Sequence, residues 1–304
     1  MSTRPLQVVV GQGGWLFAGD EYAMAVSAKR HVADRDDALA ADRRRVAAQA
    51  WARWSAENGV ADWRVLVCPD KDSIHPDRLP AWVRPVSGSP MDLAAERAAP
   101  AMFIDPRALL HQARATDRLP LYLRTDTHWT ERGAFVGYGA LARSLATGGH
   151  PLRWLDQDAV AFDRIRAPAG DLARILQLPA DTADESAVAR IAPALQRGRV
   201  FTEALNGRPV PAALFDRVEA PTRPVLTHSP GALNARRVLW LRDSFGAALH
   251  PFMVATFSDV VEVSREATSA RQLADAVQRF KPDLVLISVV ERNARSAWFE
   301  QPPP

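Results

Sequence analysis

The segment Val238-Leu239-Trp240-Leu241-Arg242-Asp243-Ser244-Phe245-Gly246 sets a serine between an apolar run and a glycine-marked helix start. A strand, a tight turn and a helix in that order expose the hydroxyl at the apex. They also place backbone N–H groups and a positive helix end beside it, where a developing oxyanion is stabilised. The same residues read equally well as an ordinary helix N-cap at Asp243 or Ser244. A serine hydroxyl is a weak nucleophile, so it needs a base, and the base needs a group that fixes its tautomer. Asp126-Thr127-His128 offers both. In an extended loop the two side chains emerge on one side, so the carboxylate reaches one ring nitrogen and the other faces a neighbouring strand end. The competing reading is a loop that caps the helix starting near Thr130, with His128 simply exposed.

These residues act together only if the fold brings them together. In a parallel α/β sheet, ligands bind beyond the carboxyl ends of the strands. Apolar runs of strand length occur at 65–68, 102–104, 121–123, 238–241 and 284–290, with helical patterns near 31–58, 106–115, 131–146, 245–255 and 270–280. That alternation predicts an α/β fold, a parallel sheet with helices on both faces. Polar residues follow the runs: Pro69-Asp70-Lys71-Asp72, then Arg124 to Trp129, then Arg242 to Gly246, and finally Glu291-Arg292-Asn293. Leu6 to Phe17 reads as two short strands about a glycine turn. Its glycines lead into Trp15-Leu16-Phe17 and not into a helix, which argues against a dinucleotide loop. In the long helix, Trp51 and Trp54 read as core. Prolines break every long period between 150 and 230, predicting an insertion or cap with extended pieces at 199–201 and 225–226. The expected organisation is one domain over 1–300, with 301–304 a disordered tail.

Composition narrows the function. The 304 residues are 47% hydrophobic and 24% charged, as in an ordinary folded domain. The net charge of +3 comes from 38 basic and 35 acidic residues, intermixed along the chain, which argues against a nucleic-acid partner. Cys68, the single cysteine, ends an apolar run and reads as a small buried hydrophobe. The seven histidines are scattered and no His-Glu-x-x-His occurs, so neither a metal nor a cofactor is expected. No run of eighteen apolar residues exists, and Met1 to Val10 lacks the apolar region of a secretory signal, so the chain by itself reads as soluble and unexported.

Several segments in the same order resemble the alginate O-acetyltransferases of the AlgJ/AlgX kind, which carry an SGNH-hydrolase-like domain. They are Val10-Gly11-Gln12-Gly13-Gly14-Trp15-Leu16-Phe17, Cys68-Pro69-Asp70-Lys71, Thr125-Asp126-Thr127-His128-Trp129-Thr130, Gly170-Asp171-Leu172, Leu241-Arg242-Asp243-Ser244-Phe245 and Val290-Glu291-Arg292. The Thr-Asp-Thr-His-Trp run is the most specific. The resemblance implies a triad of Asp126, His128 and Ser244, with the acid and base preceding the serine in the chain. It implies a flavodoxin-like parallel sheet, an acetyl donor such as a membrane acyltransferase, a polysaccharide acceptor and a periplasmic setting. Candidate oxyanion or substrate contacts are Phe245, Lys71, Trp129, Arg242, Glu291 and Arg292. Arg242 departs from the glycine common before Asp-Ser in this superfamily: it either meets an anionic acceptor or points away from the site. With Arg124 and Arg292 it suits a uronate-bearing acceptor. The rival functions are a carbohydrate acetylesterase of the same fold and a polysaccharide-binding assembly protein without turnover.

Overall fold

The computed structural model describes residues 7–97, 102–146, 151–179, 182–215 and 217–304. Strands β1 (Val8–Val10) and β2 (Leu16–Ala18) pair antiparallel about the glycine turn. There Gly13 and Gly14 take φ of 62° and 74°, open to glycine at no steric cost. The Ala/Arg stretch forms the helix Arg35–Glu57, started by a reciprocal cap between Asp34 and Asp37. Trp51 packs edge-on against Trp54 at 5.4 Å and donates its indole N–H to the Gln301 carbonyl, so this pair is core.

Next in the chain come β3 (Asp62–Cys68) and β4 (Phe103–Ile104). β5 (Val160–Ala167) and β6 (Asp184–Ile191) form a separate antiparallel pair. β7 (Val200–Glu203), β8 (Val225–His228), β9 (Asn234–Arg242), β10 (Phe257–Ser264) and β11 (Leu284–Val290) complete the set. The main sheet runs β4-β3-β11-β9-β10-β8-β7. Its first five strands are parallel, and β8 and β7 close one edge antiparallel. The sheet is therefore mixed and mostly parallel, with β7 and β8 supplied by the Pro-rich stretch.

All seven residues of β11 are buried, as a strand covered on both faces requires. Side chains alternate between two cores. Val238 and Trp240 join Leu286 beneath the helices Glu131–Ala146 and His250–Thr256, whereas Leu239 and Leu241 join Val285 and Ile287 beneath Arg35–Glu57 and Ala270–Phe280. The expected strand at 121–123 does not enter the sheet. Tyr122 bridges to Trp129 within its own loop, and the run is apolar because Leu121 and Tyr122 pack onto the core. The expected helix at 245–255 opens as a 3₁₀ turn, Ser244–Leu249, before His250–Thr256.

Candidate active site

The serine turn is fixed by its neighbour. Asp243 follows β9, and its carboxylate accepts the Phe245 amide at 3.0 Å and the Val290 amide at 2.6 Å. The turn is thereby tied to the end of the adjacent strand. Burial pushes the Asp243 carboxyl up, and those two N–H groups oppose the shift. Gly246 is dictated by packing: a Cβ there would lie 2.6 Å from the Arg242 Cβ and 3.0 Å from the Ser288 hydroxyl. Ser244 is left half-buried at the apex, and its N–H has no acceptor among the described residues.

Facing it, the 121–130 loop is an irregular hairpin in which the Leu123 amide donates to His128 and the Thr130 amide to Leu121. Lys71 staples it from below. Its Nζ donates to the carbonyls of Leu123, Arg124 and Asp126 at 2.8, 3.0 and 2.6 Å. Burial pulls this ammonium down to about 7, against the opposing charge of Asp126 and Asp184. Asp184 fixes the loop from the side, accepting the amides of Arg124 and Thr125 at 3.0 and 2.5 Å.

The result is a linear relay. Asp126 Oδ1 meets His128 Nδ1 at 2.6 Å, and His128 Nε2 meets Ser244 Oγ at 2.8 Å. The other Asp126 oxygen accepts the Asp171 amide at 2.8 Å. Asp171 in turn accepts the Thr127 amide at 2.8 Å and the Thr127 hydroxyl at 2.6 Å. Gly170 permits this approach, since a Cβ there would lie 2.6 Å from the Asp126 amide nitrogen. Burial would raise the Asp126 carboxyl, but the hydrogen bond and charge of His128 outweigh it and hold the group well below the usual carboxylate range. Asp126, His128 and Asp171 offer ligand atoms within 4.8 Å of one another. Those atoms are engaged with each other, with Thr127 and with backbone amides.

The remaining candidates hold the frame. Phe245 uses its amide on Asp243, accepts the Trp129 indole N–H on its carbonyl at 2.9 Å, and sets its ring 4.9 Å from that of His128. Glu291 is buried, accepting the Asp70 amide at 2.8 Å and the Ser73 hydroxyl at 2.6 Å. Arg292 pairs with Asp70, and its guanidinium lies 5.7 Å from the Phe245 ring. Arg242 points inward, fully buried, with its Nε 2.8 Å from Glu262, which also binds His250. Glu262 thus supplies its counter-charge inside the protein, and the side chain is closed to solvent. Asp171, Thr127 and Asp184 carried no assigned role in the sequence. Gly170-Asp171-Leu172 was a visible motif, but nothing marked Asp184.

Two outcomes follow. Lys71→Met removes all three bonds to the loop, so kcat for a small acetyl ester is expected to fall about 10- to 100-fold with KM little changed. Steady-state kinetics checks this, and an unchanged kcat removes Lys71 from the positioning role. Glu262→Gln leaves Arg242 buried without its counter-charge and is expected to cost about 3–5 kcal/mol in urea unfolding. Adding Arg242→Met should recover part of that loss; no recovery would place the cost elsewhere.

Ser244 and His128 open into a cleft of about 640 Å³, lined by Trp129, Glu131 and Phe245, by β6, and by Gln196, Arg199 and Phe215. A mostly parallel sheet with a Ser–His–Asp relay beyond its strand ends defines an SGNH-hydrolase-like protein. Residues 8–222 match the family model described as SGNH hydrolase-like domain, acetyltransferase AlgX, and the chain belongs to that family. The match takes in Asp126 and His128 and ends before Ser244, which the fold itself delivers. Among solved structures, Bacillus cereus PatB1 is similar at TM-score 0.70 and 14% identity, over 96% of this chain and 98% of that one. The same protein with a sulfonyl adduct aligns at TM-score 0.66 and 15% identity, over 95% of each chain. The O-acetyltransferase domain of Pseudomonas putida AlgJ aligns at 0.53 and 20%, over 95% of this chain and 92% of that one. No curated protein sequence matches the chain.

Proposed function

We propose that the protein is a serine-dependent O-acetyltransferase that passes an acetyl group through acetyl-Ser244 to hydroxyls of an alginate-like exopolysaccharide. The observation that carries this reading is the relay, 2.6 Å from Asp126 to His128 and 2.8 Å from His128 to Ser244. With Nδ1–H donated to Asp126, Nε2 is free to take the serine proton as Oγ bonds to the acetyl carbonyl carbon. The Ser244 N–H, at the head of the 3₁₀ turn, stabilises the oxyanion. Collapse breaks the bond to the donor's leaving group, which departs with the proton from His128. A sugar hydroxyl then gives its proton to His128 and attacks the acetyl-serine, restoring the free serine. Family membership supports acetylation of a polysaccharide, and the resemblance to exported enzymes supports a periplasmic setting. Among the described residues no helix is long and apolar enough to cross a membrane.

A sulfonyl fluoride tests the nucleophile directly, and the sulfonyl adduct of PatB1 recommends the probe. Peptide mass spectrometry is expected to find one label, on Ser244, and none on the Ser244→Ala variant. Labelling elsewhere, or none on the wild type, would remove the covalent mechanism. Mass analysis of products from an acetyl donor and an oligosaccharide separates transfer from the rival esterase reaction.

A further inference from the structure

A second cleft of about 940 Å³ lies beside the catalytic one, and neither Ser244 nor His128 lines it. The two share walls. Residues 121, 122 and 124 border the second cleft and 123, 126 and 128 the first, while on β6 the wall passes from 184–185 to 186 and beyond. Six arginines line the second cleft: Arg78, Arg114, Arg118, Arg124, Arg164 and Arg166. Pairing decides how much of that charge is left. Arg78 and Arg114 meet Asp77 at 3.4 and 2.6 Å, and Arg164 meets Glu185 at 2.7 Å. Asp184 serves backbone amides, and Asp117 binds Arg132 at 2.5 Å. Arg118, Arg124 and Arg166 have no carboxylate partner among the described residues. Arg118 and Arg166 are exposed, and Arg124 is half-buried with one nitrogen on the Ala183 carbonyl at 3.1 Å.

Unpaired guanidinium groups gathered in a concave wall concentrate positive potential, and their planar forks match carboxylates. One wall is apolar: Trp15 is half-buried, with its ring 4.4 Å from that of His75. Burial and the charge of Arg114 pull His75 down to about 3, so that ring stays neutral. A cleft that is cationic, partly aromatic and adjacent to the acetylation site suits sugars carrying carboxylates. We propose that it binds uronate units of the acceptor, away from the unit that receives the acetyl group. The proposal rests on the polysaccharide-acceptor reading above. It gives the uronate preference to Arg118, Arg124 and Arg166, in place of the Arg124, Arg242 and Arg292 set expected from the sequence.

Calorimetric titration of the whole chain with hexagalacturonate, and with neutral maltohexaose, tests it without turnover. The wild type is expected to bind the uronate hexamer, more weakly as salt rises, and to bind maltohexaose far less. Arg118→Gln/Arg166→Gln changes two exposed side chains and should weaken hexagalacturonate about tenfold or more, with small-ester hydrolysis unchanged. Arg124→Gln, added to that pair, should weaken it further. Equal binding by the double variant, or equal binding of maltohexaose, overturns the proposal, and so does a polyphosphate of matching charge that competes on equal terms. Uronate binding without any acetyl transfer would sink the proposed reaction and leave the cleft standing. Transfer to a uronate oligomer that the arginine variants do not affect would do the reverse.

Discussion

Ser244→Ala is expected to lower turnover of a small acetyl ester by on the order of 10³-fold or more, with the fold unchanged. Removing the hydroxyl takes away the atom that bonds to the acetyl group in the proposed mechanism, and no second hydroxyl within the serine turn can replace it. The stability cost should be small. Ser244 is half-buried and its side chain has one partner, His128, so the change belongs with substitutions worth about 0.5 kcal/mol or less. Asp243, Gly246 and Trp129 hold the turn and are left intact. Because the nucleophile and base act as one unit, adding His128→Ala should cost little beyond the first loss. Kinetics and thermal melting on the same samples check both halves. Activity within a few-fold of wild type would remove Ser244 from the chemistry, and a collapsed melting transition would leave the kinetics to be read from sulfonyl labelling of the wild type.

The three relay residues were legible because their chemistry is written in side chains: a serine at a turn and an Asp-x-His loop are visible whatever surrounds them. Their support was not. Lys71 acts on three carbonyls, and Asp184 on two amides. Any residue supplies a carbonyl or an amide, so such partners leave no mark in the sequence. The sheet shows the same division. β11, an apolar run interrupted only by Ser288, was plain, whereas β10 was hidden by Ser258, Asp259 and Glu262. Glu262 fits a buried strand only because Arg242 and His250 meet it there, and both are distant in sequence. β5 and β6 carry charges on their exposed sides and show no clear apolar alternation in the sequence. The run at 121–123 misled in the opposite sense: burial, not sheet pairing, explains its apolar character.

Asp126→Asn is expected to lower the plateau rate by on the order of 10³- to 10⁴-fold, while keeping the shape of the site. An amide in that place can turn its NH₂ toward His128 Nδ1, which then becomes the acceptor and leaves the ring proton on Nε2. A ring in that tautomer cannot take the proton from Ser244. The pH profile separates this from a general loss of fold. Burial favours the neutral acid, but His128 and the amides of His128 and Asp171 hold the Asp126 carboxyl far below its ordinary value of 3.8. A carboxylate depressed in the folded protein stabilises it above 3.8, and that contribution is lost as pH falls from there through the folded value. Asp126 therefore stays ionised throughout the range in which an esterase assay is run. The Asn variant should keep a low rate across that range, and in acid its stability should converge on that of the wild type as the native carboxylate titrates. Rate profiles from pH 5 to 9 and urea midpoints below pH 4 test the two claims separately. A variant within tenfold of wild type at its plateau would show that Asp126 does not set the tautomer, and Asp171, whose carboxylate lies 3.9 Å from His128 Nδ1, would become the group to replace next.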